Sequence, residues 1–258
     1  MHSQRVIWIA VLLLAATGSR GADMAAEQVR DALAASDRGA PAQLAGRDLS
    51  DLDLSRIDFK QANLSGASLF GTKLVLADLS GADLSKANLN GAWLMGTDFA
   101  GADLSNAMLM SVVILGGEIK QRPSFARANL SGARIIAELD GANLAGANLS
   151  SARIGVNIRN QGMGQMRTNL SGADLSGANL SSADVNRSLL RFANLRGANL
   201  SRANLFRADL SGADLTAAEL TGADLTEADL AGAILRNVRG LDAVKGLDRA
   251  VNLDRAIH

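Results

Sequence analysis

The stretch from Ala77 to Gly91 reads Ala-Asp-Leu-Ser-Gly, Ala-Asp-Leu-Ser-Lys, Ala-Asn-Leu-Asn-Gly, which is one five-residue pattern repeated. Each copy has a central Leu, with Ala two residues before it and Asp or Asn one residue before it. A five-residue period suits neither the 3.6-residue turn of an α-helix nor the two-residue alternation of a β-strand. The apolar residues must therefore face inward in another way.

This pattern resembles the pentapeptide repeat family, and the resemblance covers nearly all of the chain from Ala42 to Asn237. It implies an all-β fold, a right-handed quadrilateral β-solenoid in which each pentapeptide forms one side and about twenty residues form one coil. In such a coil the central Leu fills the axis, Ala fits the crowded corner and Gly tolerates the turn.

The five-residue step breaks in three places. One extra residue lies between Gly116 and Ser124, where Arg122-Pro123 suggests a bulge. One residue is missing after Ile136. Residues 157–167 carry no repeat, and they are predicted to form a loop that leaves one side.

The chain is therefore divided into a signal peptide (1–21), an N-terminal helical cap (22–41), the solenoid (42–237) and a C-terminal cap (238–258). Both ends of a solenoid expose unpaired strand edges that must be covered. A short helix with Val29 and Leu33 is predicted to cover the first coil. The C-terminal cap is predicted to be helical or irregular, because its apolar residues have helical spacing: Leu241, Val244, Leu247 and Val251.

The first residues have the layout of a cleavable signal peptide. Met1 to Arg5 form a basic start, Val6 to Thr17 an apolar run, and the residues that follow are small. The run is too short for a transmembrane helix, which needs about twenty residues. We therefore predict a periplasmic or secreted protein without an integral membrane span after cleavage, and an uncleaved anchor is the alternative.

Charge and composition argue against an enzyme and against a nucleic-acid binder. Arg5 and Arg20 are the only charged residues before Asp23, so the mature chain has 24 basic and 26 acidic residues. A nearly neutral rod lacks the excess of positive charge that binds nucleic acid. The two histidines, His2 and His258, lie at the ends of the chain, and there is no cysteine. We predict no catalytic, cofactor-binding or metal-binding residues and no cofactor.

Residues four repeats apart should lie above one another. The position before the centre then gives an acidic ladder, Asp58, Asp78, Asp98, Glu118 and Glu138. With rungs about 4.8 Å apart, the carboxylates would repel one another and their pKa values would rise. Lys60, on the same side, would relieve part of this repulsion. Either Asp is merely the usual residue at this position, or the ladder docks a basic partner or a divalent cation.

The middle coils are predicted to carry an outward apolar stripe near Lys73 and Phe70, made of Val75, Trp93, Met95, Met108, Met110, Val113, Leu115 and Ile136. Apolar stripes that face water usually mark contact surfaces. Three occupants stay open: the loop 157–167, a second copy in a homodimer, or another protein.

One later coil is basic, with Arg187, Arg191, Arg196, Arg202 and Arg207 on several sides, and it is interpreted as a solvated belt. Together these features predict an exported, non-enzymatic solenoid that acts as a protein-binding or scaffolding module for an unknown partner. The family resemblance raises one alternative, a DNA mimic that inhibits a type II topoisomerase. The near-neutral charge and the signal peptide disfavour this alternative.

Overall fold

The computed structural model describes residues 22–36, 41–114, 120–155 and 167–258. One α-helix, α1, spans Ala26–Ala34, and two short parallel strands pair in the middle of the chain, β1 (Met108–Met110) with β2 (Arg134–Ile136). Three 3₁₀-helices follow near the end, at Leu241–Ala243, Leu247–Arg249 and Leu253–Arg255. The remaining repeats are joined to their neighbours by isolated parallel bridges.

The bridges form four columns. Gln43 pairs with Asn63, Asp48 with Ser68, Asp53 with Lys73 and Asp58 with Asp78, so four sides are completed in twenty residues before the first column returns. We call the columns that begin at Gln43, Asp48, Asp53 and Asp58 the first, second, third and fourth. This pairing is that of a four-sided β-solenoid, and its right-handed winding stays a prediction.

Each corner is a tight turn that the pentapeptide encodes. At the first corner the Arg47 N–H donates to the Leu44 carbonyl at 3.2 Å, and Gly46 between them has φ 66°. A positive φ at the third residue of a turn is readily adopted by Gly. The Gly46 N–H then donates to the Ser65 carbonyl of the next coil at 2.8 Å. The same residues therefore turn the chain and join the coils.

The interior is a continuous column of Leu, Ile and Phe centres with Ala beside them, nearly all fully buried. Phe99 and Phe125 stack with ring centroids 4.9 Å apart. Where Thr replaces Ala, its hydroxyl is satisfied, because Thr97 Oγ1 donates to the Leu74 carbonyl at 2.8 Å. The buried hydroxyls of Thr72 and Thr168 are likewise hydrogen-bonded to backbone carbonyls.

The first break in the repeat is larger than the sequence predicts. Asp98 pairs with Ser124, twenty-six residues on, so this coil carries six extra residues and not one. The Gly96 N–H donates to the Gln121 carbonyl at 2.8 Å. Gln121 therefore occupies the structural position that, in a regular coil, belongs to the residue directly after the repeat centre, here Ile114. The prediction of a single extra residue here is therefore wrong, because the bridge from Asp98 reaches Ser124 and Phe125 is the residue that stacks on Phe99.

The other two breaks have the lengths that the sequence indicates. Ser124 pairs with Asn143, nineteen residues on, which reflects the residue missing after Ile136. Asn143 pairs with Asp174, thirty-one residues on, so this coil is longer by eleven residues. Apart from Arg167, the predicted loop 157–167 lies outside the described residues.

The N-terminal end of the core is covered by α1, within the range assigned to the cap. Val29 is fully buried and Leu33 packs partly buried against the core. Ahead of the helix, the Asp23 N–H donates to the Asp48 carbonyl at 2.7 Å and Asp23 Oδ2 accepts from the Asp48 N–H at 2.9 Å. The chain is therefore tied to the first complete coil from Asp23 onward.

The C-terminal segment, where the sequence predicts a helical or irregular cap, forms one more coil that contains three short 3₁₀-helices. Its bridges lie six residues apart, with Arg239, Lys245, Val251 and Ile257 paired to Glu219, Asp224, Asp229 and Ile234. Left-handed residues, Gly240, Gly246 and Asn252, precede the three 3₁₀-helices and interrupt any continuous helix. Leu241, Leu247 and Leu253 pack partly buried against the end of the core. The helical spacing of the apolar residues therefore does not correspond to one continuous helix in this segment.

Candidate functional site

The acidic ladder is shorter than its sequence suggests. Asp58, Asp78 and Asp98 follow one another in the fourth column, which then continues with Ser124 and Asn143. Glu138 belongs to a different column and pairs with Asn169, because the intervening coils have twenty-six and nineteen residues. Glu118 lies outside the described residues.

Lys60 largely neutralises the first two rungs. Its Nζ lies 2.9 Å from Asp78 Oδ2 and 3.5 Å from Asp58 Oδ2. Partial burial works to raise the pKa of the Asp78 carboxyl, but hydrogen bonds from Lys60 and Ser80 outweigh it and the pKa is lowered. The expectation of a raised pKa from mutual repulsion is therefore wrong for Asp78.

The ladder carboxylates also have a local structural task. Asp58 Oδ1 accepts from the Lys60 N–H at 3.0 Å and Asp98 Oδ1 accepts from the Ala100 N–H at 2.9 Å. The same bond from Asp or Asn to the residue two places on recurs as far as Asp229. In the parts of the chain that the structure describes, no three His, Asp or Glu residues are grouped as a metal-ion site would require.

The apolar stripe is divided between two adjacent sides. Lys73, Trp93 and Val113 pair in succession along the third column, with Val75 and Met95 just after the Leu centres of the same side. Met108 and Met110 form the ends of β1 on the second side, and Ile136 pairs with Met110, not with Met95. Leu115 lies outside the described residues.

Exposure separates the predicted stripe into open and covered members. Phe70 is 50% exposed, Trp93 40% and Met108 36%, while Met95 and Ile136 are buried at 5% and 6%. Met95 precedes the glycine that bonds to Gln121 after the six-residue insertion, and Ile136 stands where one residue is missing. The side chain directly after the repeat centre is therefore buried at Met95 and Ile136, and the prediction that these two residues face water is wrong.

Phe70 and Met110 lie at the end of the second side, Trp93 and Val113 lie at the start of the third, and Met108 is two residues before Met110 on β1. We call this surface the corner patch, and it consists of Phe70, Trp93, Met108, Met110 and Val113. Lys73 lies at one edge of it, with its Nζ 5.8 Å from the centre of the Trp93 ring. The patch thus has aromatic, thioether and branched aliphatic groups together, with a cation beside them.

The basic coil is largely neutralised by the coil that follows it. Arg191 pairs with Asp209, Arg196 Nη1 lies 2.9 Å from Asp214 Oδ2 and Arg207 Nε lies 2.6 Å from Glu227 Oε2. The sequence indicated a solvated belt, and these pairs between coils were not anticipated. They could have been found by aligning each arginine with the residue about twenty positions later.

A cavity of about 840 Å³ opens between α1 and the first coil. Its lining combines Arg30, Leu33, Arg56, Asp58 and Lys60 with small and polar residues. Sequence reasoning missed this cavity because it depends on how α1 docks. Its charges are mixed, since Lys60 already contacts Asp58 and Asp78.

In the described ranges, no helix has both the length and the apolar character that a membrane span requires.

Comparison with known proteins agrees with this architecture. The family model described as "Pentapeptide repeats" matches in eight copies, over residues 42–75, 77–113, 168–205, 186–222 and 203–239. The chain belongs to the pentapeptide repeat family. Comparison with curated proteins returned no match.

Three solved pentapeptide repeat structures illustrate the likeness. HetL, a pentapeptide repeat protein involved in heterocyst differentiation regulation from the cyanobacterium Nostoc sp. strain PCC 7120, is 33% identical, with 91% of this chain and 92% of that chain covered and a TM-score of 0.47. QnrB1, a plasmid-mediated fluoroquinolone resistance protein, is 20% identical over 83% of this chain and 90% of that chain, with a TM-score of 0.40. A protein of the Arabidopsis thaliana thylakoid lumen is 33% identical over 43% of this chain and 67% of that chain, with a TM-score of 0.26.

Proposed function

We propose that this pentapeptide repeat protein is an exported, non-enzymatic solenoid that binds a protein partner through the corner patch. The observation that carries the proposal is the exposure of Phe70, Trp93 and Met108 around one corner of a rod whose sides are otherwise mostly polar. Contiguous apolar groups that face water mark interaction sites, because covering them releases hydration free energy.

The rest of the solenoid supports a binding role and not a catalytic one. Leu, Phe and Ala fill the axis of the described coils, which leaves little room for an enclosed substrate there. The abundant Asp, Asn and Ser residues are committed to turns and to bonds between coils. Function is therefore assigned to the surface.

Export is the second part of the proposal, and it rests on the basic, apolar and small-residue segments of 1–21. The hydrogen bonds of Asp23 to Asp48 are compatible with it, because cleavage at or before Ala22 would leave both bonds intact. We expect the mature N-terminus between Gly18 and Asp23 in a periplasmic or secreted fraction. Recovery of intact Met1 on soluble cytoplasmic protein would overturn this part.

Crosslinking in living cells tests the binding role directly. Wild type is compared with a Trp93→Ser, Met108→Ser double variant, and Phe192→Ser serves as the matched control because Phe192 is 74% exposed on a distant coil. We expect the double variant to lose partners that both wild type and the control retain. Retention of all partners by the double variant would refute the corner patch as the binding surface.

The same proteins distinguish a homodimer from a different partner. If a second copy covers the corner patch, light scattering of purified wild type gives twice the monomer mass and the double variant gives the monomer mass. A different protein partner predicts a monomer for both.

A further inference from the structure

We propose that the corner patch, together with Arg134 and Arg153, recognises an acidic segment of a protein partner that carries Asp or Glu two to three positions from a large apolar residue. The proposal rests on the proposed binding function and specifies the chemistry of the partner.

The two arginines face each other in a single column. In the second column Met108 pairs with Arg134, and Arg134 pairs with Arg153, so apolar surface and positive charge are continuous. Among the bridged pairs that the structure describes, Arg134 with Arg153 is the one in which both residues are cationic. Like charges directly opposite each other on neighbouring strands are unfavourable.

Within the described chain, neither guanidinium is paired with a carboxylate. The neighbour of Arg153 in the next coil is Asp184, but Asp184 Oδ1 already accepts from Asn186 at 2.6 Å and from Asn204 at 2.9 Å. Glu138, around the corner from Arg134, accepts from Asn169 at 2.8 Å. Each of these two carboxylates thus already accepts from amide donors through one of its oxygens.

Several other cations meet a carboxylate of an adjacent coil. Three pairs reach the following coil, Lys60–Asp78, Arg196–Asp214 and Arg207–Glu227, and two reach the preceding coil, Arg239–Glu219 and Lys245–Asp224. An arginine pair without such a partner, beside exposed aromatic and thioether groups, can bind a carboxylate with charge-assisted hydrogen bonds. Charge complementarity thus selects an acidic partner over a basic or neutral one.

The spacing defines the ligand further. Coils stack about 4.8 Å apart, so the arginine pair lies about 5 to 10 Å from Met108 along the solenoid axis. An extended peptide advances about 3.3 Å per residue. A peptide that runs along the axis would therefore carry its acidic residue two to three positions from its apolar anchor.

The test uses a phage library of random dodecapeptides selected on the purified full chain. We expect the enriched peptides to contain Asp or Glu two or three residues from Leu, Phe or Trp. Their capture should fall at least tenfold on the Trp93→Ser, Met108→Ser double variant and on the Arg134→Gln, Arg153→Gln double variant. The control variant Arg191→Gln, Arg196→Gln removes two arginines that are paired with carboxylates and should leave capture unchanged.

A stability measurement tests whether the arginines are available for binding and not needed for folding. Because each removes a like-charge contact, Arg134→Gln and the more exposed Arg153→Gln should leave the melting temperature unchanged or raise it. If the double variant does not fold, the single Arg153→Gln variant repeats the binding test. A lowered melting temperature for Arg153→Gln would overturn the proposal, because the residue would then be structural.

The failures of the two proposals are distinguishable. Peptides that require Trp93 or Met108 but bind equally without the arginines, or that are neutral or basic, would overturn the acidic-partner inference and leave the binding function in place. A selection in which no captured peptide depends on Trp93 or Met108 would overturn both.

Discussion

The carboxylates before the repeat centres serve two partners at once. Asp78 accepts the Ser80 N–H through Oδ1 at 3.0 Å, and its Oδ2 contacts Lys60 at 2.9 Å. The first contact stabilises the turn and is available to Asn, whereas the second requires charge. This difference explains how Asp and Asn alternate at the position before the centre.

Substitutions of Asp78 should separate the two contributions. Asp78→Asn keeps the acceptor for Ser80 and loses the exposed ion pair, so we expect a loss of less than about 1 kcal/mol in the free energy of unfolding. Asp78→Ala also leaves the Ser80 N–H without its acceptor, and we expect about 1 kcal/mol more. Urea unfolding measures both, and equal values for the two variants would contradict the capping role.

The pH dependence of stability follows from the same groups. The pKa values of the Asp209 and Asp224 carboxyls are both lowered from 3.8. Partial burial acts to raise each pKa, but hydrogen bonds outweigh it. Asp209 accepts from Ser211 and Arg191, and Asp224 accepts from Lys245 and Thr226. A lowered pKa in the folded state stabilises the protein above the ordinary value, and this contribution is lost as the pH falls through the lowered value. We therefore expect the free energy of unfolding to decline below about pH 4 and not between pH 5 and 7. Urea titrations at successive pH values test this, and Asp209→Asn with Asp224→Asn should flatten the decline.

At the scale of elements, the last coil depends on glycines that have no spare room. A Cβ on Gly246 would lie 2.8 Å from Thr226 Cβ and 2.9 Å from Thr226 Cα, and φ is +70°. Gly232 has φ +66° with nothing within 4 Å of a Cβ, so it isolates the cost of the backbone conformation.

The glycine comparison gives a sharp expectation. Gly232→Ala should cost about 1 to 2 kcal/mol, the usual penalty for a left-handed residue with a side chain. Gly246→Ala should cost at least about 2 kcal/mol more, because Thr226 or its backbone must move. Thermal unfolding compares them, and a cost for Gly246→Ala no larger than that for Gly232→Ala would contradict the close packing of the terminal coil.

The long coil between Asn143 and Asp174 offers a second test of the repeat geometry. Deletion of residues 156–166 would join Gly155 to Arg167 and restore a twenty-residue coil with Ile154 and Leu170 as successive centres five residues apart. A shorter connection lowers the entropy cost of closing the coil. We expect the variant to fold with an equal or higher melting temperature, measured by circular dichroism. A large destabilisation would show that the segment packs on the solenoid.

The comparison of sequence and structure shows what a repeat encodes. The five-residue period predicts the columns, the buried Leu and Ala residues and the length of the coil at Asn143. It does not reveal the six-residue insertion before Ser124, because Glu118-Ile119 matches the five-residue period in the sequence while Phe125 completes the stack on Phe99. The six-residue step of the terminal coil could have been predicted, since Gly-Leu-Asp recurs at Gly240 and Gly246. The burial of Met95 and Ile136 depends on neighbouring irregular coils, which the period does not contain.

At the scale of the whole molecule, opposite charges are often paired between neighbouring coils. Several cations of the second half of the solenoid meet carboxylates of an adjacent coil, as Arg196 meets Asp214 of the following coil and Lys245 meets Asp224 of the preceding one. The long sides are thereby mostly neutral at short range. The corner patch and the two arginines beside it depart from this arrangement, which is why the binding proposals converge on them.

A solenoid also depends on its ends, because each coil is stabilised mainly by its neighbours and the terminal coils lack one. Val29 of α1 is fully buried against the first coil, and Asp23 makes two hydrogen bonds to Asp48.

A chain that begins at Pro41 loses both of these contacts and exposes the first edge of the stack, where strands can pair between molecules. We expect it to unfold at a lower temperature and to self-associate in light scattering, while a chain that begins at Ala22 keeps the stability of the full-length protein. Val29→Ala should reproduce part of the loss, about 1 to 3 kcal/mol, and Arg30→Ala on the exposed face of α1 should not. A monomeric protein from Pro41 onward with an unchanged melting temperature would show that the first coil needs no cap.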